Sequence, residues 1–208
     1  MKFPLLLITA ITGMPFIISC NSGSNDDAKQ KADSTNTANI DTAKMRDTSQ
    51  THPVHMADLK PDADFAVAAT DGGMLEVALG KMAEQKGMTS EVKKLGAQMV
   101  KDHSKANMEL KALSMEKHIA IPSEMSAKCQ KEVSDLEEKK GRDFDRAYVD
   151  LMVKDHKVDI EDFKKEANSG NDAQMSEWAK KTLPILEHHL NMSEESQKYL
   201  NKRYTYTN

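Results

Sequence analysis

The sequence predicts an all-α protein: a four-helix bundle with a short extra helix in one connection, preceded by an export signal and a disordered tether. Three observations predict it. Four long segments repeat apolar residues at the 3.6-residue period of an amphipathic helix. Glycine and proline fall between those segments, where helices stop. No stretch alternates apolar and polar residues as a half-buried strand does.

The chain opens with a targeting segment over residues 1–19. Lys2 precedes an almost wholly apolar run at 4–18, and the small Ser19 stands before Cys20. That run is too short to span a bilayer comfortably and has the flanks of a signal peptide. Ile17-Ile18-Ser19-Cys20 resembles the bacterial lipobox, which implies acylation of Cys20 and a membrane contact made by lipid. An ordinary secretory signal with a chance cysteine is the alternative. Several acyl chains anchor stably, since each buried CH₂ contributes roughly 0.8 kcal/mol.

Residues 20–60 then form the lipidated cysteine and its tether. Ser, Thr, Asn, Asp, Lys and Ala dominate, and such a composition buries too little surface to offset its ordering entropy. As a random coil this stretch reaches on the order of 35 Å. Asp26-Asp27 resembles the acidic signals that direct some lipoproteins to the cell surface. The expected address is the cell envelope: an outer-membrane lipoprotein facing the periplasm or the cell surface.

The folded domain is expected at 61–203. Segment A, 62–86, ends at Gly87. Segment B, 89–118, starts after Thr89 with Glu91 in its first turn and stops before Pro122. A shorter helix, 123–139, ends at Gly141. Segment C, 143–168, starts at Asp143 and ends at Ser169-Gly170. Segment D, 172–202, starts at Asp172 and contains Pro184, which should kink it.

Composition excludes several function classes. Without residues 1–19 the chain keeps 28 basic and 33 acidic residues, interleaved throughout, which is no nucleic-acid footprint. Cys129 is then the only cysteine besides Cys20, so no disulfide forms within the domain. No Gly-x-Ser-x-Gly turn, paired Cys/His signature or His-Glu-x-x-His motif announces an enzyme, and the reading leans away from one. Protein partners are not legible.

One echo stands out: Met-Val-Lys-Asp-His occurs at 99–103 and again at 152–156, each histidine at similar depth in its helix. The two helices then match whether they run parallel or antiparallel. At about 100° per residue the buried face of each segment can be placed. Glu76 falls among Phe65, Ala69, Gly72, Leu79 and Ala83, with Asp71 on the far side. His103 shares a face with Val92, Met99 and Leu110; His156 with Val149, Met152, Ile160 and Phe163; His189 with Trp178, Ile185, Leu186 and Leu200, with His188 at the boundary.

Each long helix thus sends one ionisable residue into its core face: Glu76, His103, His156 and His189. Buried ionisable groups cost several kcal/mol unless paired, neutralised or metal-bound. Two readings stay open. The four residues form one site for a transition metal such as zinc, copper or iron, serving metal handling or stress protection. Alternatively they form a hydrogen-bonded core in a non-enzymatic structural or interaction module. Asp102 and Asp155 stand next to the histidines and can orient them, and Asp159 is a further oxygen candidate. Met99, Met152 and Met192, one turn from the histidines, are read as core filling rather than as copper ligands.

Gly72-Gly73 with Glu76, Met99-Val100 with Asp102-His103, the run Gly141, Phe144-Asp145, Tyr148-Val149, Met152-Val153 and Asp155-His156, and Thr182-Leu183-Pro184 with His189 carry a family resemblance. The chain resembles the bacterial family catalogued as domain of unknown function 4142. The resemblance implies a ferritin-like bundle in an exported protein and supplies no activity. Ferritin-like di-iron proteins use paired Glu-x-x-His motifs. None of the three histidines has a glutamate three residues before it.

Overall fold

The computed structural model of the chain describes residues 26–46 and 59–205, which form six helices and no strand. The signal segment and Cys20 lie outside the described residues. Helix α1 spans Asp26–Arg46, α2 Lys60–Lys86, α3 Ser90–Glu116, α4 Ala127–Glu137, α5 Gly141–Ser169 and α6 Ala173–Thr205.

Helix boundaries follow local chemistry. Thr89 accepts the Val92 N–H to cap α3, and Ser126 accepts the Cys129 N–H to cap α4. Asp172 accepts the Gln174 and Met175 N–H groups at the start of α6. Gly141 adopts φ +59° where α4 gives way to α5, a conformation only glycine takes readily. Pro184 lies inside α6, which continues through it.

Contacts at the two ends set the topology. At one end the Met88 N–H donates to Asp145 Oδ1 at 2.9 Å, and the Tyr204 hydroxyl donates to Asp145 Oδ2 at 3.1 Å. The end of α2 and the last turns of α6 therefore meet the start of α5. At the other end the Asp172 N–H donates to Asp62 at 2.7 Å, and Lys117 pairs with Asp172 at 2.8 Å. Consequently α2 and α3 form one antiparallel hairpin, α5 and α6 a second, and α4 lies in the crossover that returns the chain between them. Helices α3 and α5, which carry the repeated pentapeptide, run parallel.

Two regions differ from expectation. Residues 26–46, read from composition as structureless tether, form α1. Ala28, Ala32, Asn36 and Ile40 recur every four residues, and Ala32, Asn36 and Ile40 are buried. The Asn36 amide then clamps the crossover, accepting the Ala120 N–H at 2.7 Å and donating to its carbonyl at 2.8 Å. Small residues make this face, so hydropathy gave it no signal. Asp71, expected to face solvent, is buried beneath the crossover and accepts from the Ser126 N–H and hydroxyl, both at 2.7 Å. Ile185, expected inside, is exposed.

The core is apolar at both ends and polar in the middle. One apolar cluster unites Leu79, Leu95, Met99, Phe144, Tyr148, Met152 and Leu200. Toward the other end Ala66, Leu110 and Met175 form a second, and Ile160, Phe163, Ala179 and Leu186 a third. Met99 and Met152 are fully buried packing residues, as read from sequence.

Within the first hairpin, α2 and α3 approach most closely at two glycines. A Cβ on Gly96 would lie 2.6 Å from the Gly80 carbonyl and 2.8 Å from the Ala83 Cβ. Gly96→Ala should therefore destabilise the fold by about 1–2 kcal/mol, overpacking outweighing the roughly 1 kcal/mol gain in helix propensity. Gly72→Ala, whose Cβ meets only Asp159 at 3.9 Å, should be neutral or stabilising. Chemical denaturation of both variants checks the difference.

Candidate metal centre in the bundle core

The polar layer is built from one residue of each long helix. Glu76, His103, His156 and His189 are 3%, 5%, 0% and 0% exposed. Their backbones belong to four helices whose apolar clusters lie on both sides, so the layer is held away from bulk water by packing. The imidazole centroids are 5.0–5.5 Å apart.

Each ring has a partner on one side. His103 Nδ1 lies 2.7 Å from Glu76 Oε2. His189 Nε2 lies 3.0 Å from Asp102 Oδ2, which also accepts from Gln98 at 2.5 Å. His156 Nδ1 lies 3.0 Å from the Met152 carbonyl and 3.4 Å from Glu76 Oε1. Asp102 thus orients His189 on another helix rather than its sequence neighbour His103.

Burial tends to raise the Asp102 carboxyl, but hydrogen bonds from His189 and Gln98 outweigh it and hold the group below its ordinary value. Asp102 is therefore an ionised acceptor, and His189 Nε2 carries the proton donated to it. His189 Nδ1 is left with a lone pair, and it lies 3.2 Å from His156 Nε2.

His156 is the point of conflict. Its Nδ1 faces a carbonyl, which can only accept, while its Nε2 faces the His189 lone pair. Neither neutral tautomer satisfies both neighbours. The doubly protonated ring would, but burial and then the His103 and His189 rings hold His156 well below its usual value. With the proton on Nδ1, two lone pairs oppose each other at 3.2 Å, the arrangement that a shared cation relieves. His103 Nε2 is likewise buried with no partner. One ring nitrogen from each of the three histidines lies within 4.8 Å of the others.

Carboxylates form a second layer. Glu76, His156 and Asp159 make another group with ligand atoms within 4.8 Å, so Glu76 joins Asp159 rather than the three-histidine group. Burial, then the Asp155 charge, push the Glu76 carboxyl well above the usual range, although a hydrogen bond with Asp159 lowers it. Burial, then the Glu76 charge, do the same to Asp159. Burial and the Glu132 charge push Asp155 up to about 6. Sequence position suggested that Asp159 belonged here; the reach of Asp102 across to His189 had no sequence signal. A small cavity of about 20 Å³ beside Glu76, His103 and Asp159, bounded by Asn107 and Trp178, is large enough for one water molecule.

Cys129 takes no part. It is buried in the apolar cluster, its thiol donates to Asp71 at 3.3 Å, and burial pushes it up to about 12. His188 is exposed and outside the layer.

The buried imidazoles make stability depend on pH with a defined sign. Burial depresses both His103 and His189 from 6.5 to about 4. Both rings are neutral in the fold, so their contribution is complete above about pH 6.5 and is lost as pH falls through 4. The two rings should each remove roughly 3 kcal/mol from metal-free protein over that window, while the raised Glu76, Asp159 and Asp155 carboxyls act in the opposite sense. Denaturation at a series of pH values checks this, and His103→Gln should flatten the profile.

No curated protein and no solved structure matches the chain. A family model described as Domain of unknown function (DUF4142) matches residues 44–195, which takes in all four long helices up to Glu195. With most of its length matched, and with the polar layer inside the match, the chain belongs to the DUF4142 family.

Proposed function

We propose that this protein is a lipid-anchored component of the bacterial envelope whose bundle core binds one transition metal ion, for metal handling or stress protection. The observation that carries the proposal is His156, whose ring nitrogens cannot both be satisfied by neutral partners. A cation held by His103 Nε2, His156 Nε2 and His189 Nδ1 removes the opposed lone pairs. The remaining ring N–H groups then point at Glu76, the Met152 carbonyl and Asp102, as metal-bound imidazoles normally require. Glu76, expected from the sequence as a ligand, lies on the Nδ1 side of His103 and His156, away from that ion, and serves as the carboxylate that orients the rings. An imidazole-rich donor set suits zinc, copper or iron.

Protein purified without chelator should hold about one metal ion per chain. His103→Ala, His156→Ala and His189→Ala should each abolish retention, and Asp102→Asn should weaken affinity by about 10- to 100-fold by releasing His189. Elemental analysis reads the first result and metal-competition titration the second. Chain that stays folded and takes up no zinc, copper or iron overturns the proposal.

A second reading rests on the Glu76–His103 and His189–Asp102 contacts, which join these residues without an ion. On that reading the layer is a structural network in a non-enzymatic module, and chelator leaves the thermal melt unchanged. A bound metal instead raises the melting temperature, because it binds only the folded state.

The anchor rests on Ser19-Cys20 and the apolar segment before them. Among the described residues no helix is long and apolar enough to cross a membrane. Cys20→Ser should move the protein from the membrane to the soluble fraction and abolish labelling by radioactive palmitate. Unchanged fractionation and labelling would refute lipidation at this residue.

A further inference from the structure

A second set of buried polar atoms lies at the far end of the bundle, where α2 begins and the chain turns from α5 into α6. Asp62 is fully buried, and its Oδ1 accepts the Asp172 N–H at 2.7 Å. Asp62 Oδ2 has no partner, nor have Glu166 Oε1 and Ser176 Oγ, although Glu166 is only 4% exposed. The Asp62 and Glu166 carboxyls lie within hydrogen-bonding reach of each other. A Cβ on Gly170 would overlap both Glu166 Oε1 and Ser176 Oγ, so these two oxygens converge where the turn has no side chain.

Charge is unbalanced there. Asp172 is answered by Lys117 at 2.8 Å and spends its other oxygen capping α6. Neither Asp62 nor Glu166 has an ion-pair partner among the described residues, and Lys165 acts on Glu166 only as an exposed neighbouring charge. An open cavity of about 390 Å³ bounded by Pro61, Asp64, Asp162, Glu166 and Gly170 borders the cluster on its Glu166 and Gly170 side.

We infer that Asp62, Glu166 and Ser176 form an oxygen-lined site for a hard divalent cation of the calcium type, fastening the start of α2 to the α5–α6 turn. Two carboxylates balance the charge, the hydroxyl adds a neutral oxygen, and waters from the cavity complete the shell. An all-oxygen set suits calcium or magnesium, and calcium tolerates the irregular arrangement better. The site shares no residue with the histidine layer. Burial and the Asp62 and Asp172 charges push Glu166 up to about 8, so a proton shared by the two carboxyls is the competing occupant.

The test is the melting temperature of full-length chain in detergent, stripped with chelator and titrated with calcium chloride at about pH 8. Wild type should gain about 5 °C at millimolar calcium. Glu166→Gln, whose amide can donate to Asp62, should fold and show no calcium response. His156→Ala should respond like wild type, which separates this site from the histidine centre. Manganese, as a paramagnetic probe of the His156→Ala chain, should broaden the amide signals of Gly170 and Ser176 first. No calcium response in wild type with a higher melting temperature for Glu166→Gln makes the shared proton the occupant and overturns the inference. A response that persists in Glu166→Gln, or manganese broadening centred elsewhere, overturns it too.

Discussion

The structure depends on one constraint: the two ring nitrogens of His156 must be satisfied in the middle of an apolar bundle. The ring is fully buried between a carbonyl on its own helix and an imidazole on the next. An unmet polar atom at such a place costs about 1–3 kcal/mol, comparable with a large fraction of a domain's net stability. The surrounding residues answer that demand in order. His189 is turned by Asp102, His103 by Glu76, and Glu76 by Asp159. Each link comes from a different helix of the bundle than the ring it orients, so the network forms only when both hairpins have docked.

Apolar packing makes this demand severe. Fully buried side chains such as Leu79, Met99, Phe144 and Met152 close one side of the layer, and Ala66, Leu110, Ala179 and Leu186 close the other. A cavity beside Glu76, His103 and Asp159 has room for one water molecule. In that setting a small dielectric response strengthens every pairing and penalises every gap. The low values of the buried histidines and the high values of Glu76 and Asp159 are two results of the same exclusion of water: each group is pushed toward its neutral form.

Much of this was legible in the sequence because helical periodicity is a local property. The faces that place Glu76, His103, His156 and His189 inward need only the rise and turn of a helix. Glycine at 87, 141 and 170 and the Thr89 cap mark ends through chemistry confined to a few residues. What escaped depends on contacts between distant residues. Asp71 faces away from its own helix's apolar side, and only the returning crossover covers it, through Ser126. Helix α1 shows alanines where amphipathic reading seeks large apolar residues, and its Asn36 finds its partner at Ala120, 84 residues away. The parallel course of α3 and α5 follows from end contacts made by Asp145 and Asp172, and a repeated pentapeptide is compatible with either direction.

The two polar clusters of the domain answer the same physical problem with different atoms. In the middle, three imidazoles present neutral nitrogen lone pairs, and their N–H groups are already directed outward to acceptors. At the end, Asp62 and Glu166 present oxygens only, beside a glycine that leaves space and a cavity that admits water. Nitrogen donors favour softer transition metals, and carboxylate and hydroxyl oxygens favour hard cations. The difference follows from position. A residue pointing into the closed centre of a bundle must be satisfied while neutral, which imidazole can be at physiological pH. A carboxylate stays charged in the bundle where donors face it, as His189 and Gln98 face Asp102, or where an ion can approach, as at the helix ends.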